Sequence, residues 1–111
     1  MDLKDFITDW LWASNSYDTN AYLKMYQEDA ELDDVSIGHI FKGHSGIRKY
    51  FEDYFIKYKT QTRLVKLNII NPNKVFIEVE FSGEFPEGRI GGTFDFTFKG
   101  HKIKTVIASL K

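Results

Sequence analysis

The sequence contains no cysteine, which excludes disulfides, thiolate nucleophiles and cysteine-bound metals together. It also lacks an excess of either charge: 15 Lys and Arg stand against 16 Asp and Glu, for a net charge of −1. That balance argues against a nucleic-acid or anionic-membrane surface. Lys57, Lys59, Arg63 and Lys66 fall close together but read as a solvated helix end and strand start. No apolar run approaches membrane-spanning length. The start, Met-Asp-Leu-Lys-Asp, is not basic, and Asp9 interrupts its apolar segment, so no signal peptide is expected and a cytoplasmic location is the default. There are no repeats, low-complexity tracts or long linkers, and 111 residues fit one domain over 1–111 with a single core. What the chain has in abundance is rings. Aromatic residues make up 16 % of it, ten of them Phe, and large rings can line a cavity while still closing a small core.

The first half reads as helical. Asp2 can cap a helix in which Leu3, Ile7, Trp10 and Leu11 share a stripe widened by Phe6 and Ala13. Asn15-Ser16 ends it. Asp18 caps a shorter helix expected to carry Tyr22, Met25 and Tyr26, and an acidic strand, Ala30–Asp34, follows. After a turn at Gly38 and an extended piece, His39–Lys42, Ser45 is expected to cap a third helix. Its apolar positions are Ile47, Tyr50, Phe51, Tyr54, Phe55 and Tyr58. From Thr62 the period becomes two. Val65, Leu67 and Ile69 form one strand face, and Asn71-Pro72-Asn73 a hairpin turn. Val75, Ile77, Val79, Phe81 and Phe85 continue the inner face, as do Ile90, Phe94, Phe96 and Phe98. In the last strand Ile103 differs in parity from Val106, Ala108 and Leu110. Either a bulge near Thr105 brings all four inward, or both faces are covered. Helices first and antiparallel strands after predict an α+β layer with helices on one face of a curved sheet. Phe51, Phe81, Phe94 and Phe96 should carry much of its stability.

Alternation in the acidic strand puts Ala30, Leu32 and Asp34 on the core side and Glu31 and Asp33 on the other. Asp34 is therefore the inward carboxylate and the candidate acid/base group; the competing reading is an exposed Asp closing a turn. Trp12, Tyr17, Tyr26 and Tyr54 could offer hydroxyl or indole donors to a ligand, although such residues are more often packing. His39 shares parity with Ile37 and Phe41 and could face a pocket mouth as a partner base. Gly43-His44-Ser45-Gly46-Ile47 resembles a nucleophile elbow, but its fifth position is Ile47 and the chain is too short for that fold. The three histidines lack metal-ligand spacing. Arg89-Ile90-Gly91-Gly92 is no phosphate loop, because no helix follows. No metal and no cofactor are expected.

Tyr26 to Asp34, then Phe41-Lys42-Gly43 with Ile47 to Phe51, and the hairpin from Gly91 to Ile103 together resemble the nuclear transport factor two-like superfamily. Within it they resemble the SnoaL-like and ketosteroid-isomerase-like branch. That resemblance implies a cone: three N-terminal helices packed on the concave face of a strongly curved, mostly antiparallel sheet around a pocket. It also implies a homodimer through the outer sheet face, where Phe76 interrupts a polar parity and the last strand is apolar on both sides. Isomerases of this branch place their proton-shuttling acid at the position matching Asp34. Their oxyanion-binding tyrosine corresponds to Trp10 and their neutral, hydrogen-bond-donating aspartate to Phe94. Phe offers no donor and Trp a single N–H, so steroid isomerisation is not expected. The resulting expectation is a small-molecule-binding domain, an isomerase, cyclase or dehydratase type using Asp34. Trp10, Tyr17, Tyr26, His39, Phe51, Tyr54 and Phe94 would bind an apolar, ring-containing ligand. The alternative is a non-catalytic ligand-binding or dimerisation module.

Overall fold

Both short polar signals at the N-terminus act as caps. In the computed structural model, which describes residues Met1–Lys111, Asp2 Oδ1 accepts from the Asp5 N–H at 3.0 Å and opens helix α1, Leu3–Asn15. Asp18 Oδ1 accepts from the Ala21 N–H at 3.0 Å and opens α2, Thr19–Lys24. Each bond satisfies an amide that the first helical turn leaves without a backbone partner. The α1 stripe of Leu3, Ile7, Trp10 and Ala13 is buried as its spacing predicts. Tyr26 departs from expectation: α2 stops at Lys24, and Tyr26 begins strand β1, Tyr26–Asp34. Its ring is buried either way, so periodicity alone could not separate the last turn of a helix from the start of a strand.

Strand β2, His39–Lys42, turns directly into α3, Gly43–Phe51. The expected cap at Ser45 is not used. The helix starts three residues earlier, from Lys42 and without a side-chain cap, and Ser45 is exposed within it. Gly43 makes this possible with φ of +68°, and a Cβ there would stand 3.2 Å from the Glu28 carbonyl oxygen. Beyond Phe51 the helix widens into a π-helical turn, Glu52–Ile56, closed by the Lys57 N–H donating to the Glu52 carbonyl at 3.0 Å. Such turns recur at functional sites. This one ends α3 on two neighbouring aromatic residues, Tyr54 half-exposed and Phe55 buried.

The remaining strands are β3 (Gln61–Asn71), β4 (Lys74–Ser82), β5 (Arg89–Lys99) and β6 (Lys102–Leu110). They complete a six-stranded curved sheet of order β2-β1-β6-β5-β4-β3, with helices on its concave face. Every pairing is antiparallel except β1 with β6, which is parallel. Two bulges set the inward parity. In β6, Thr105 pairs with Thr97 and Ile103 with Phe98. Lys104 is thus the extra residue, and Ile103, Val106 and Ala108 are all buried, as a bulge near Thr105 predicts. In β3 the extra residue is Val65, between the Leu64–Val79 and Lys66–Glu78 pairs. This corrects the expected face: Leu64 and Leu67 point inward, whereas Val65 and, near the strand end, Ile69 are exposed. Phe85 likewise lies in the loop after β4 rather than in that strand.

The core holds 24 buried apolar residues from every layer. At its narrow end Trp10 meets Phe94 and Phe96 edge-on at centroid distances of 5.0 and 5.1 Å, and Tyr22 stacks on Phe51 at 4.1 Å. Gly92 lets β5 pass under Phe81, since a Cβ there would lie 2.4 Å from that ring. The bare backbone therefore holds Phe81 against Phe55 and Phe94.

Candidate functional site

The rings that close the narrow end leave a cavity of about 270 Å³ at the wide end. It lies between the end of α3 and the inner faces of β4, β5 and β6, with the β1–β2 turn and the loop after β4 at its rim. Eleven of its 16 lining residues are apolar, the usual character of a small-molecule cleft.

Asp34 is set into this wall by strand parity. It pairs with Ala108 of β6 and His39 of β2, and its residue surface is only 6 % exposed. Asp34 points inward as strand parity predicts, and it also closes a turn, though buried rather than exposed. Oδ1 closes the turn after β1, accepting from the Ser36 N–H at 3.0 Å, the Ser36 hydroxyl at 2.5 Å and the Ile37 N–H at 3.1 Å. Oδ2 accepts only from the Tyr50 hydroxyl, at 3.1 Å. Burial, followed by the nearby Asp34 charge, pushes the Tyr50 phenol well above its ordinary range. Tyr50 therefore stays protonated and keeps donating. The local design is a carboxylate with one oxygen anchored by the backbone and the other shared with a single phenol, beside an apolar space.

A second polar chain lies deeper. Trp10 Nε1–H donates to the Tyr26 hydroxyl at 3.1 Å, which donates to the Tyr22 hydroxyl at 2.8 Å. Burial dominates here too. It pushes Tyr26 up to about 12, against the lowering effect of its bonds to Tyr22 and Trp10. Tyr22 is raised well above 10 by burial first and then by the proximity of Tyr26 and Tyr50.

Of the residues the sequence singled out, Asp34, Tyr54 and Phe94 meet in the cavity wall. Trp10, Tyr26 and Phe51 do not; all three are wholly buried and fill the apex. Periodicity marks the inner side of an element but not its depth, so apex rings and wall rings read alike. Tyr17 also stands apart, in a left-handed turn at φ +56° with its hydroxyl accepting from Gln61. His39 is exposed, its ring edge-on to Phe41 outside the wall, and Trp12 is 66 % exposed. His39 pairs with Asp34 and shares the parity of Ile37, yet of those two only Ile37 reaches the wall.

Sequence reasoning missed Tyr50 as Asp34's partner, and missed Tyr58, Phe85 and Glu87 in the wall. Tyr50 had a usable signal, one helical turn before Tyr54 on the same stripe. Glu87 had none, because a loop carboxylate acquires a direction only once β4 and β5 are placed. The oxyanion positions implied by the resemblance are empty of available donors: Phe94 has none, and the Trp10 N–H is committed to Tyr26. No group of three or more histidine, aspartate or glutamate side chains converges as a metal site. No helix is long and apolar enough to cross a membrane.

Comparison with known proteins supports the fold. The sequence profile of the SnoaL-like domain matches residues 7–106. No curated protein matches the sequence significantly. Among solved structures, the chain is similar to the epoxide hydrolase/cyclase-like enzyme SalBIII of pyran ring formation in the polyether salinomycin. That match has a TM-score of 0.85 at 17 % identity over 97 % of this chain and 89 % of the other. A proposed polyketide cyclase from Sinorhizobium meliloti gives 0.84 at 19 % identity, over 94 % and 93 %. A Mycobacterium tuberculosis protein in complex with estradiol-17β-hemisuccinate gives 0.82 at 12 % identity, over 93 % and 88 %. At these identities the likeness is one of fold.

Proposed function

Since the chain belongs to the SnoaL-like domain family, whose profile spans nearly all of it, we propose that its cavity binds a small, apolar, ring-containing molecule and that Asp34 moves a proton on it. The carrying observation is Asp34 itself, the one buried carboxylate of the fold, placed in an aromatic wall with Oδ2 held by a single partner. A base needs a lone pair within reach of the proton it takes. Oδ2 meets that need better than Oδ1, which already accepts three bonds. The Tyr50 phenol can follow the charge, donating more strongly to the carboxylate than to the carboxylic acid. The hydroxyls of Tyr54 and Tyr58, also in the wall, are the candidate donors to ligand oxygen. Proton abstraction and return fits isomerase, cyclase or dehydratase chemistry. The steroid conjugate held by the mycobacterial protein supports a ring-containing ligand. The cavity here, at about 270 Å³, sits near the lower end of small-molecule sites, about 300–1,000 Å³. One or two rings fill it better than four.

Native mass spectrometry of protein purified from its own organism is expected to show a retained small molecule. With that molecule as substrate, Asp34→Asn should keep binding and lose turnover by about a hundredfold. A hydrophobic ligand library that nowhere raises the melting temperature would remove the binding reading. Equal turnover in Asp34→Asn would remove Asp34 as the proton carrier, and binding without turnover in the wild type would leave only a non-catalytic module. The anchoring of Oδ1 by the turn and the missing donors at Trp10 and Phe94 favour that second reading.

The outer sheet face supports self-association as well. Ile40 and Ile107 are exposed on it, with Phe76 half-buried on the same face. Sedimentation at micromolar concentration is expected to give a dimer, and a charged residue at Ile107 a monomer. A monomeric wild type would dismiss the dimer.

A further inference from the structure

Asp34 is the one ionisable carboxylate or base among the buried residues, and it has no counter-ion. The six ion pairs of the fold lie among exposed and half-exposed side chains, and none includes it. Its four hydrogen-bond donors are two amides and two hydroxyls, all neutral. Buried charges in proteins are ordinarily paired with an opposite charge. The wall that Asp34 shares makes the omission directional. It contains a second carboxylate, Glu87 at the rim, and neither Lys, Arg nor His. Fifteen Lys and Arg in the chain are thus all kept out of the cavity. Lys57, outside the wall, has its Nζ 5.7 Å from the centroid of the Tyr58 ring, and His39, the strand partner of Asp34, also stands outside the wall. Seven of the lining residues carry Phe or Tyr rings, and the faces of such rings attract cations. An anion entering this space would meet two like charges and no compensating base.

From these observations, and resting on the reading of the cavity as a ligand site, we infer that the natural ligand is an organic cation: an amine or quaternary ammonium group on an apolar, ring-containing body. The ligand's charge supplies the counter-ion that the fold withholds from Asp34. The rings enclose the alkyl groups around the nitrogen, and Glu87 attracts the cation at the entrance.

The test compares three benzyl probes, the first two of one shape, followed by protein-detected NMR titration: benzyltrimethylammonium, its uncharged carbon isostere neopentylbenzene, and phenylacetate as the anion. Wild-type protein is expected to bind the cation about tenfold or more tighter than the isostere, and phenylacetate weakest. In Asp34→Asn the preference for the cation should fall to near parity while the isostere binds as before. Binding of the isostere unchanged also shows that the variant is folded. Glu87→Gln should weaken cation binding about twofold, and the difference should vanish in high salt. A wild-type protein that binds neopentylbenzene or phenylacetate as tightly as the cation overturns the inference but keeps the cavity as a ligand site. Binding of none of the three overturns the inference and the ligand reading together. A cation preference that survives in Asp34→Asn overturns the assignment to Asp34. Because the charge comparison is made on the wild-type chain first, it stands even where Asp34→Asn does not fold.

Discussion

Trp10→Ala is expected to lower the unfolding free energy by about 3–5 kcal/mol, the range for emptying a large aromatic site in a packed core. Trp10 is fully buried and joins three elements through Tyr22, Phe94 and Phe96. Phe94 and Phe96 are fixed by strand pairing and cannot close over the gap. A domain of this size has about 5–15 kcal/mol in all, so the melting temperature should fall by about 12–20 °C. Urea melts should show a lower midpoint with unchanged slope. Trp10→Phe separates the contributions. It keeps most of the volume but removes the N–H donated to Tyr26, and about 1–2 kcal/mol is expected. A loss below about 1 kcal/mol for Trp10→Ala would show that the apex is not packed as described.

The second large effect is alkaline unfolding. Tyr22, Tyr26 and Tyr50 are all raised, first of all by burial; Tyr26 reaches about 12, and Tyr22 and Tyr50 stand well above 10. A raised folded pKa means that the native state holds its proton more tightly than the unfolded chain does. Stability from these groups is therefore fully present below about pH 10 and is lost as pH rises toward the folded values. Above about pH 10 a tyrosine that stays protonated in the fold lowers stability by at most about 1.4 kcal/mol per pH unit. The three losses act in the same direction and draw on a total stability of about 5–15 kcal/mol for a typical domain. Denaturant midpoints at successive pH values should fall steeply across this window. The phenolate absorbance of three of the six tyrosines should appear only with loss of the fold. A midpoint indifferent to pH between 10 and 11.5 would contradict the buried cluster.

The parts of the fold legible in the sequence were those fixed by local chemistry. Asp2 and Asp18 needed only the unmet amides beside them, and the alternation from Val75 to Phe81 needed only a sheet with one covered face. Asp34 was legible because Leu32 marked the inner side two residues earlier. What could not be read depended on a second segment. Val65 and Lys104 became extra residues only when a neighbouring strand set the count. The helix start at Gly43 depends on the Glu28 carbonyl of β1, which lies where a side chain would stand. The same limit governed the site. Phe94 and Trp10 touch, yet only Phe94 reaches the cavity, because α1 crosses the apex. That crossing is a relation between helix and sheet, absent from either segment alone.

Strand β6 stands third in the sheet, between β1 and β5, although it is sixth in the chain. The segment from α1 to β2 and the segment from β3 to β5 thus have their sheet edges joined only by β6, Lys102–Leu110. Until that stretch is free to pair, the polypeptide is two half-sheets with an open seam. Closure spans some of the widest sequence separations in the molecule, which slows folding. During synthesis the domain must wait for its last strand to leave the ribosome. A premature stop upstream of Lys102 would release one chain with two unpaired, aggregation-prone sheet edges rather than a smaller working protein.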